Sequence, residues 1–537
     1  MKNASYYIRH RQQLLNQPLL HWPGLGGWAF YFLLKVVLAY LDMMRIDVLL
    51  NLALVALLVV PLRWPLMRVI RQVMMIPIAL ALAYAESYLP PFARLLDQWS
   101  QVTAFSWQYI FELLGRVVQL EYVAALVIGW IMYLYLARAL RMTVVSILAL
   151  LSVLWWAPQA AHQDAELVLA DVPSKIVEGT TRPTTADEYL SAFYNEQAQL
   201  LLQPERGLQP QLDILIVNIC SLSWDDLEVS GLQQHPLFAA SHVVLEQFNS
   251  ASSYSGPAAL RVLQASCGHR PHDALFAATP QCAIPQQLAA FGFESQLLLN
   301  HNGDYDNFAE QLLQYGGFSE RNRNDLSSVP IAMTGFDGQP IYDDYAVLQQ
   351  WLNNTSSARR FGFYNSTSLH DGNILPDFAG NSVESFDRRG EQLLNSLLQL
   401  YRDIEQSGRN VLVVIVPEHG AGLRGDRMQL TGLREIPSPA LTHVPVWMRL
   451  FGEGVNEQTI RPIRIDRNTG PSAIAAAIYT VLNQRPFSGG EYDPEALADA
   501  LPVTPWMAEN KDVKVMQFNQ QYLLKLREQN WMRYPGL

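Results

Sequence analysis

The feature that most limits how this chain can fold is a set of near-continuous apolar runs confined to its first third. The runs lie at residues 28–41, 48–62, 73–85, 122–137 and 143–157. With short flanks, each run reaches the ~17–25 residues that a helix needs to cross the hydrocarbon core of a bilayer. The pattern predicts an α-helical transmembrane domain of about five spans over residues 1–157.

Basic residues beside the short loops predict the orientation of these spans. They cluster before the first run, between the second and third, and between the fourth and fifth: Lys2, Arg9, Arg11, Arg63, Arg68, Arg71, Arg138 and Arg141. Loops of this kind are usually cytoplasmic, so the chain after residue 157 is predicted to face the periplasm or the cell exterior. The third run is the weakest, because Pro77 and Glu86 interrupt it, and a buried helix of a soluble domain is the alternative there.

Two segments outside the runs have patterns of their own. Apolar residues at roughly helical spacing over 104–118 predict an amphipathic helix in the outer interface of the membrane, or else a helix packed on its neighbours. Residues 158–211 are rich in Pro, Thr, Gln and acidic residues, which is typical of a linker. One short helix is expected within it, near residues 188–202.

The charge balance differs between the two parts of the chain. The first 160 residues contain 12 basic and 6 acidic residues, whereas the remainder contains 26 basic and 43 acidic ones. An acidic second part without a basic stripe argues against binding to nucleic-acid phosphates. We therefore expect no nucleic-acid partner.

Residues 212–537 alternate between strand-like and helical segments. The strongest strand candidates are 213–220 and 411–416, which are short β-branched runs; others lie at 243–248, 296–299, 360–365 and 444–450. The clearest helix covers 386–406 and ends before Ser407 and Gly408. This order predicts an α/β domain with a mostly parallel central sheet, whose ligands bind beyond the carboxyl ends of the strands.

Metal-ligand side chains stand at the ends of the two strongest strands. Cys220 ends the first, and Glu418 and His419 end the second. Thiolate, carboxylate and imidazole together suit Zn²⁺ or a similar divalent ion. The alternatives are a strand-end cap or surface turn for Glu418 and His419, and a buried core thiol for Cys220.

The other two cysteines favour a disulfide. The chain has 3 cysteines, so at least one stays unpaired, and a bond between Cys267 and Cys282 would close a short loop in an oxidising compartment. That pairing leaves Cys220 free for a metal.

Ser255 lies in a sequence that favours a turn feeding a helix, since Gly256 and Pro257 follow it. Backbone N–H groups and the positive end of the helix dipole would suit a phosphoryl group at this point. Two interpretations are open from position alone: a helix N-cap or a nucleophile.

Taken together, the segments "NICSLSWDD", "SYSGPAALR", "LHDGN", "PEHG" and "GDRMQLTGLRE" resemble the alkaline phosphatase superfamily. Within it the chain is most similar to the membrane-anchored phosphoethanolamine transferases, in particular those of bacterial cellulose synthesis. The resemblance extends over nearly the full chain and implies an alkaline-phosphatase-like periplasmic domain on a multi-pass protein of the bacterial inner membrane. It implies one zinc ion held by Cys220, Glu418, His419 and the nucleophile Ser255. Related lipid A-modifying transferases usually carry an acidic residue and a Thr at the positions of Cys220 and Ser255, so this chain departs from their pattern at two of the four ligands.

The resemblance also implies a reaction and its participants. Phosphatidylethanolamine would donate phosphoethanolamine to Ser255, the glucose 6-hydroxyl of cellulose would accept it, and subunits of the cellulose synthase complex would be partners. His370 is the candidate general acid/base or phosphate contact, and Arg434 the guanidinium that binds phosphate oxygens. Tyr254 could donate a hydrogen bond or cover the ethanolamine ammonium. Further candidates for substrate contacts are His301, Arg424 and Arg427.

Two rival functions are weighed against this one. A sulfatase or periplasmic phosphodiesterase of the same fold is the first, but sulfatases carry an Arg at the position of Ala259. The second is a non-catalytic scaffold subunit with a decayed site, which the intact set of candidate residues disfavours.

Overall fold

A computed structural model describes residues 24–41, 43–62, 64–87, 103–117, 120–165, 183, 185–354, 359–456, 460–527 and 529–534. They belong to two compact units. The first comprises Met1–Asp97 and Val117–Leu167, and the second Gln98–Arg116 and Val168–Leu537. Residues 166–182, a large part of the predicted linker, lie outside the described residues.

The predicted apolar runs all fall on helices of the first unit. These helices are Trp28–Tyr40, Val48–Val59, Pro65–Glu86, Leu120–Leu136 and Met142–Ala165. Among the described residues, Pro65–Glu86 is long and apolar enough to cross a bilayer, and a second such span is counted if Trp107–Arg116 and Glu121–Leu136 are joined into one. The number of five spans stays a prediction.

The acidic residue that interrupts the third run is paired inside the first unit. Glu86 forms an ion pair with Lys35, and both side chains are buried. Asn51 lies between them: its Nδ2 donates to Glu86 Oε1 at 2.5 Å, and its Oδ1 accepts from Lys35 Nζ at 2.7 Å. Ionisable groups among apolar helices are expected to be paired in this way.

The second unit consists of strands and mostly short helices. Its described strands are β1 Asp213–Cys220, β2 Val243–Asn249, β3 Glu294–Leu299, β4 Ile331–Thr334, β5 Pro340–Tyr342, β6 Arg360–Ser366, β7 Val411–His419, β8 His443–Phe451, β9 Ile463–Ile465, β10 Met507–Asn510, β11 Val513–Phe518, β12 Gln521–Leu526 and β13 Met532–Arg533. Its described α-helices are Ala186–Gln197, Trp224–Val229, Pro236–Ala239, Ser255–Leu263, Ile284–Ala289, Phe308–Tyr315, Asp344–Asn353, Phe386–Ser407, Pro439–Thr442, Ser472–Gln484 and Pro494–Ala500. The helix Trp107–Val117 contributes residues 107–116. Short 3₁₀ helices lie at His272–Phe276, Tyr305–Asn307 and Glu320–Asn322.

The largest sheet in the described part of this unit has seven strands in the order β3-β6-β1-β7-β8-β2-β9. The neighbours β3–β6, β6–β1, β1–β7 and β2–β9 are parallel, but β8 is antiparallel to both β7 and β2. The sheet is therefore mixed: four of its six neighbouring pairs are parallel, in line with the predicted mostly parallel sheet, and β8 is the antiparallel strand. A parallel neighbour needs a crossover that returns the chain to the opposite edge. Between β7 and β8 the described chain forms only loops and the helix Pro439–Thr442, so β8 starts at the edge where β7 ends.

The central strands are buried on both faces, as their unbroken apolar runs predict. Along β1, Ile214 and Ile216 belong to one hydrophobic core, and Leu215 and Val217 to the other. The predicted helix at 386–406 is confirmed as Phe386–Ser407, which ends at Gly408 with φ +65°. A left-handed residue of this kind is a common helix C-terminus.

Three further features complete the second unit. The strands β10 to β13 form an antiparallel sheet that the sequence analysis did not predict. The short helix expected near 188–202 is observed at Ala186–Gln197. The disulfide between Cys267 and Cys282 is confirmed, and Cys220 is the free cysteine.

Candidate active site

The register of two parallel strands brings the three predicted metal ligands together. Cys220 at the end of β1 pairs with His419 at the end of β7, after a bulge at Ile219 and Cys220. One ligand atom from each of Cys220, Glu418 and His419 lies within 4.8 Å of the others, and all three residues are buried. The prediction that these three side chains lie close together is therefore confirmed.

The two carboxylate oxygens of Glu418 differ in their hydrogen bonds to the described residues. Asn365 Nδ2 donates to Glu418 Oε1 at 2.6 Å, whereas the buried Oε2 has no hydrogen-bond partner among the described residues and lies 3.8 Å from His419 Nε2. Burial raises the pKa of the Glu418 carboxyl to about 7. A bare buried carboxylate oxygen is costly unless a cation or proton offsets its charge, so this atom suits a metal ion.

His419 Nε2 and Cys220 Sγ are the other two atoms of the cluster that could bind a metal ion. His419 Nδ1–H donates to the Gly420 carbonyl at 2.9 Å, which leaves Nε2 unprotonated, with Cys220 Sγ 4.0 Å away. Burial, together with the charge of Glu418, raises the pKa of the Cys220 thiol to about 12. A bound metal ion reverses that effect, because it stabilises the thiolate. One sulfur, one nitrogen and one oxygen donor fit Zn²⁺.

Ser255 is the first residue of the helix Ser255–Leu263, and Tyr254 is its N-cap residue. Ser255 Oγ lies 3.3 Å from Cys220 Sγ and 3.3 Å from His419 Nε2. The hydroxyl therefore points to the candidate ligands rather than capping its own helix. Ser255 is only partly buried, unlike the three ligands, so the cluster opens to solvent on its side.

The "SLSWDD" segment supports the turn that follows β7. Ser223 and Asp226 form a capping box at the helix Trp224–Val229, and Asp226 Oδ2 also accepts from the Ala421 N–H at 2.7 Å. A Cβ atom at Gly420 would lie 2.6 Å from Ser223 Oγ. Only glycine lets the chain after His419 approach this closely, so these residues hold the ligand turn in place.

Arg434 joins two histidines of the site. Its Nη2 lies 3.1 Å from His370 Nε2, and its Nη1 lies 3.4 Å from His419 Nε2 and 3.3 Å from Ser221 Oγ. The loop that carries Arg434 is braced by Gln429, whose side chain accepts from the Ile436 N–H at 2.7 Å and donates to the Ile436 carbonyl at 2.9 Å. The guanidinium is thus held at the edge of the ligand cluster.

His370 is buried and held on three sides. Its Nδ1–H donates to the Asp371 carbonyl at 2.6 Å, its ring stacks on Phe336 at 4.1 Å between centroids, and Arg389 Nη1 donates to its carbonyl at 3.2 Å. Burial and the positive charge of Arg434 lower the pKa of His370 to about 3. The imidazole is therefore neutral near pH 7, and Nε2 accepts a hydrogen bond from Arg434.

Comparisons with known proteins give the family. The models for the cellulose biosynthesis protein BcsG N-terminal and C-terminal domains match residues 28–155 and 173–531. Cellulose biosynthesis protein BcsG of Escherichia coli (strain K12) is 36% identical over 96% of this chain and 97% of its own length. The chain belongs to the BcsG family. A second BcsG relative, from Salmonella typhimurium (strain LT2), is 34% identical over the same shares of the two chains.

Solved structures also resemble this BcsG-family chain. A protein in the alkaline phosphatase superfamily from Vibrio parahaemolyticus covers 65% of this chain and 88% of its own length, with a TM-score of 0.46 and 11% identity. The integral membrane protein lipooligosaccharide phosphoethanolamine transferase A (EptA) from Neisseria meningitidis covers 75% of this chain and 81% of its own, with a TM-score of 0.43 and 13% identity.

The described contacts of the other residues predicted from the sequence are with groups other than the Ser255 hydroxyl. Tyr254 donates its hydroxyl hydrogen to Glu435. His301 is linked to Glu418 through Asn365: its Nε2–H donates to Asn365 Oδ1 at 3.0 Å, and the Asn365 amide donates to Glu418. Arg424 forms ion pairs with Asp225 at 3.3 Å and Glu228 at 3.1 Å, and both Arg424 and Arg427 are exposed.

Sequence reasoning missed two polar residues of this BcsG-family site. Asn365 holds Glu418, and its position at the end of a predicted strand was a usable signal. Asn510, in the C-terminal sheet, ties the two loops that carry Ser255 and Arg434: its Nδ2 donates to Ser253 Oγ at 2.9 Å and to the Glu435 carbonyl at 2.8 Å. No local pattern identified Asn510.

Proposed function

We propose that the chain is a zinc-dependent transferase that moves phosphoethanolamine from phosphatidylethanolamine to the glucose 6-hydroxyl of cellulose. The observation that carries the proposal is the Ser255 hydroxyl, 3.3 Å from both Cys220 Sγ and His419 Nε2. A nucleophile beside a metal-ligand cluster is typical of covalent phosphoryl transfer. The sequence motifs favour phosphoethanolamine as the transferred group, and the relatives' name, cellulose biosynthesis protein BcsG, favours cellulose as the acceptor.

Cys220, Glu418, His419 and Ser255 would hold the zinc ion. Three features support this ligand set: the Glu418 oxygen without a hydrogen-bond partner in the described part of the chain, the unprotonated Nε2 of His419 and the buried thiol of Cys220. When bound, zinc supplies Lewis acidity, which lowers the pKa of a ligating hydroxyl and offsets negative charge on phosphoryl oxygens.

In the first half-reaction, Ser255 Oγ forms a bond to phosphorus while the bond between phosphorus and the diacylglycerol oxygen breaks. The serine hydroxyl loses its proton and the departing diacylglycerol oxygen gains one, so phosphoethanolamine remains on Ser255. The first turn of the helix Ser255–Leu263 would offer the Ser255 and Gly256 N–H groups to the phosphoryl oxygens, since Pro257 has no N–H and the Ala258 N–H donates to the Tyr254 carbonyl at 3.0 Å. Arg434 presents further N–H donors, because its fork has five and the neighbouring histidines and Ser221 use only some of them.

In the second half-reaction, the glucose 6-oxygen forms the new bond to phosphorus while the bond to Ser255 Oγ breaks. The acceptor hydroxyl loses a proton, and Ser255 regains one. A neutral His370 accepts a hydrogen bond from Arg434 at its Nε2 lone pair and so fixes the guanidinium. We assign His370 and Arg434 to phosphate orientation on this basis, and Tyr254 to support through Glu435.

We place the reaction at the outer face of the bacterial inner membrane. Residues 1–157 would form the multi-pass membrane domain, 158–211 the linker, and 212–537 the periplasmic catalytic domain. The apolar helices and the disulfide between Cys267 and Cys282 support this placement, because disulfides persist in oxidising compartments. The donor is a lipid and the acceptor emerges beside the bilayer, so subunits of the cellulose synthase complex are the expected partners.

Replacement of the nucleophile tests the reaction. Ser255→Ala should lower transfer on the order of 10³-fold or more while leaving membrane insertion intact. Ser472→Ala is the matched control, because Ser472 is also the first residue of a helix. Solid-state carbon NMR of cellulose from producing cells measures the aminoethyl signal. Modified cellulose from the Ser255→Ala strain would contradict the proposal, and release of free phosphoethanolamine without a glycan signal would indicate a phosphodiesterase.

Zinc content tests the ligand set independently. Elemental analysis of the purified chain should give about one zinc per chain for the wild type, and a sharp fall for Cys220→Ala. The matched control is the Cys267→Ala/Cys282→Ala variant, which removes the two cysteines of the disulfide. Equal zinc content in all three proteins would mean that the Cys220 thiol is only a core residue.

A further inference from the structure

The helix Trp107–Val117 has two unlike faces. Trp107, Phe111 and Leu114 are exposed, with 76%, 68% and 53% of their surface accessible. Tyr109, by contrast, is only 6% accessible. Residues 98–116 form part of the second unit, although in the sequence they stand between the third and fourth apolar runs. The helix thus belongs to the same unit as the candidate site.

The buried face of this helix binds one carboxylate. Arg116 Nη1 donates to Asp371 Oδ2 and Arg116 Nη2 to Asp371 Oδ1, both at 2.7 Å. Tyr109 Oη–H donates to the same Asp371 Oδ2 at 2.8 Å. A two-pronged arginine–carboxylate contact fixes direction as well as distance.

The contact also requires a glycine. A Cβ atom at Gly372 would lie 2.5 Å from the Tyr109 ring, and Gly372 has φ +80°. Glu112 adds a second attachment, since its Oε1 accepts from the Ser382 N–H at 3.2 Å. The loop 369–373 is therefore shaped to receive this helix.

Asp371 is the immediate neighbour of His370. The Asp371 carbonyl accepts from His370 Nδ1–H at 2.6 Å, and His370 Nε2 lies 3.1 Å from Arg434 Nη2. A second route passes through Phe336, which contacts the Tyr109 ring at 6.1 Å and stacks on His370 at 4.1 Å between centroids. Both routes end at the imidazole that orients Arg434.

We propose that Arg116 and Tyr109 are positioning residues that act through Asp371 and His370 to hold the Arg434 guanidinium at the site. The inference rests on the proposed transfer function for its effect on rate. Neither residue touches substrate in this account. A guanidinium misplaced by about 1 Å can cost on the order of 100-fold in rate, so loss of this support affects turnover more than substrate binding.

The test uses the full chain in detergent or nanodiscs with a water-soluble donor, p-nitrophenyl phosphoethanolamine, so that delivery of the lipid does not limit the rate. Arg116→Met should lower kcat about 10-fold to 100-fold, with KM changed less than about 3-fold and zinc content unchanged. Arg116→Lys should recover part of the loss. Arg116→Met combined with Asp371→Asn should be no slower than Asp371→Asn alone, because both changes break the same contact.

Arg464→Met is the matched control. It breaks a different arginine–carboxylate contact, between Arg464 and Glu246 at 2.6 Å on an exposed edge, and should leave kcat unchanged. A fall in kcat for Arg116→Met that is explained by a loss of zinc or of folded protein would overturn the inference. An unchanged kcat would overturn it as well.

Hydrogen exchange supplies a readout that does not need activity. Arg116→Met should lower the protection of residues 369–373 and 425–435, and Arg464→Met should not. Unchanged protection of 425–435 would overturn the inference whether or not the enzyme turns over. An inactive wild type in which Arg116→Met lowers this protection would refute the proposed function and leave the positioning role standing.

Discussion

Asn365 and Glu418 meet at the carboxyl edge of the sheet, where the amide of Asn365 donates to Glu418 Oε1 at 2.6 Å and no described residue donates to Oε2. Asn365 is itself fixed, because its Oδ1 accepts from His301 and its Nδ2 also donates to Asn218 Oδ1 at 3.1 Å. The carboxylate is thus oriented before any cation arrives. Groups that orient a metal ligand are commonly as important as the ligand itself.

Removal of this orientation should weaken metal binding. Asn365→Ala is expected to lower zinc affinity about 10-fold to 100-fold, because Glu418 loses its fixed direction. Competition with a chromophoric chelator measures the affinity. Asn483→Ala is the control, since Asn483 lies on the helix Ser472–Gln484 outside the site and accepts from the Glu205 backbone N–H. Equal zinc affinities for the Asn365 variant and the wild type would show that Glu418 needs no support.

Arg434 should be replaceable neither by alanine nor by lysine. Its two Nη atoms reach different histidines, and a single ammonium cannot reproduce that spread. We expect Arg434→Ala to lower kcat on the order of 10²–10³-fold, and Arg434→Lys to recover little of it. Steady-state kinetics with the soluble donor measures both.

Arg424→Ala is the comparison for Arg434, and we expect a change of less than about 2-fold. Arg424 is exposed and already paired with Asp225 and Glu228, and exposed ion pairs contribute little. A large loss in Arg424→Ala would instead support the substrate contact proposed for it from the sequence.

The disulfide should account for a substantial part of the stability of the second unit. Cys267 and Cys282 are 15 residues apart, and a loop of that length is expected to contribute about 3 kcal/mol. The double variant Cys267→Ser/Cys282→Ser should lose that amount in urea unfolding followed by pulse proteolysis, and reductant should destabilise the wild type but not the variant. Thiol titration of the denatured chain should find one free thiol before reduction. A reductant effect of equal size in the variant would refute this explanation.

Much of the site could be predicted because it depends on local sequence. The β-branched runs that become β1 and β7 are unbroken, and strands buried on both faces have that pattern. The rule that ligands bind at the carboxyl ends of such strands then brought Cys220, Glu418 and His419 together, as the structure does.

The rest depends on contacts between distant parts of the chain. Arg116 and Asp371 are separated by 255 residues, and no local pattern links them. The direction of β8 depends on where the loop after β7 leads, and the pairing of Arg424 depends on how the helix Trp224–Val229 packs. Residues 513–515 of β11 alternate between apolar and polar, but Met516 breaks the pattern, so the sequence marks this strand only weakly.

Acid should destabilise the second unit because it contains histidines that are buried without charge. Burial and the nearby Arg449 lower the pKa of His242 from 6.5 to about 4. Between pH 6.5 and 4 the unfolded chain binds a proton at His242 that the folded chain does not bind. The contribution of neutral His242 to the free energy of unfolding is therefore complete above about pH 6.5 and is lost as pH falls toward 4. For His242 this loss is about 3 kcal/mol. His242→Asn should therefore flatten the dependence of the urea midpoint on pH between 6.5 and 4, measured with a chelator present so that metal release does not contribute. His235→Asn, at a half-buried histidine, should flatten it less, and equal slopes for His242→Asn and the wild type would contradict the assignment.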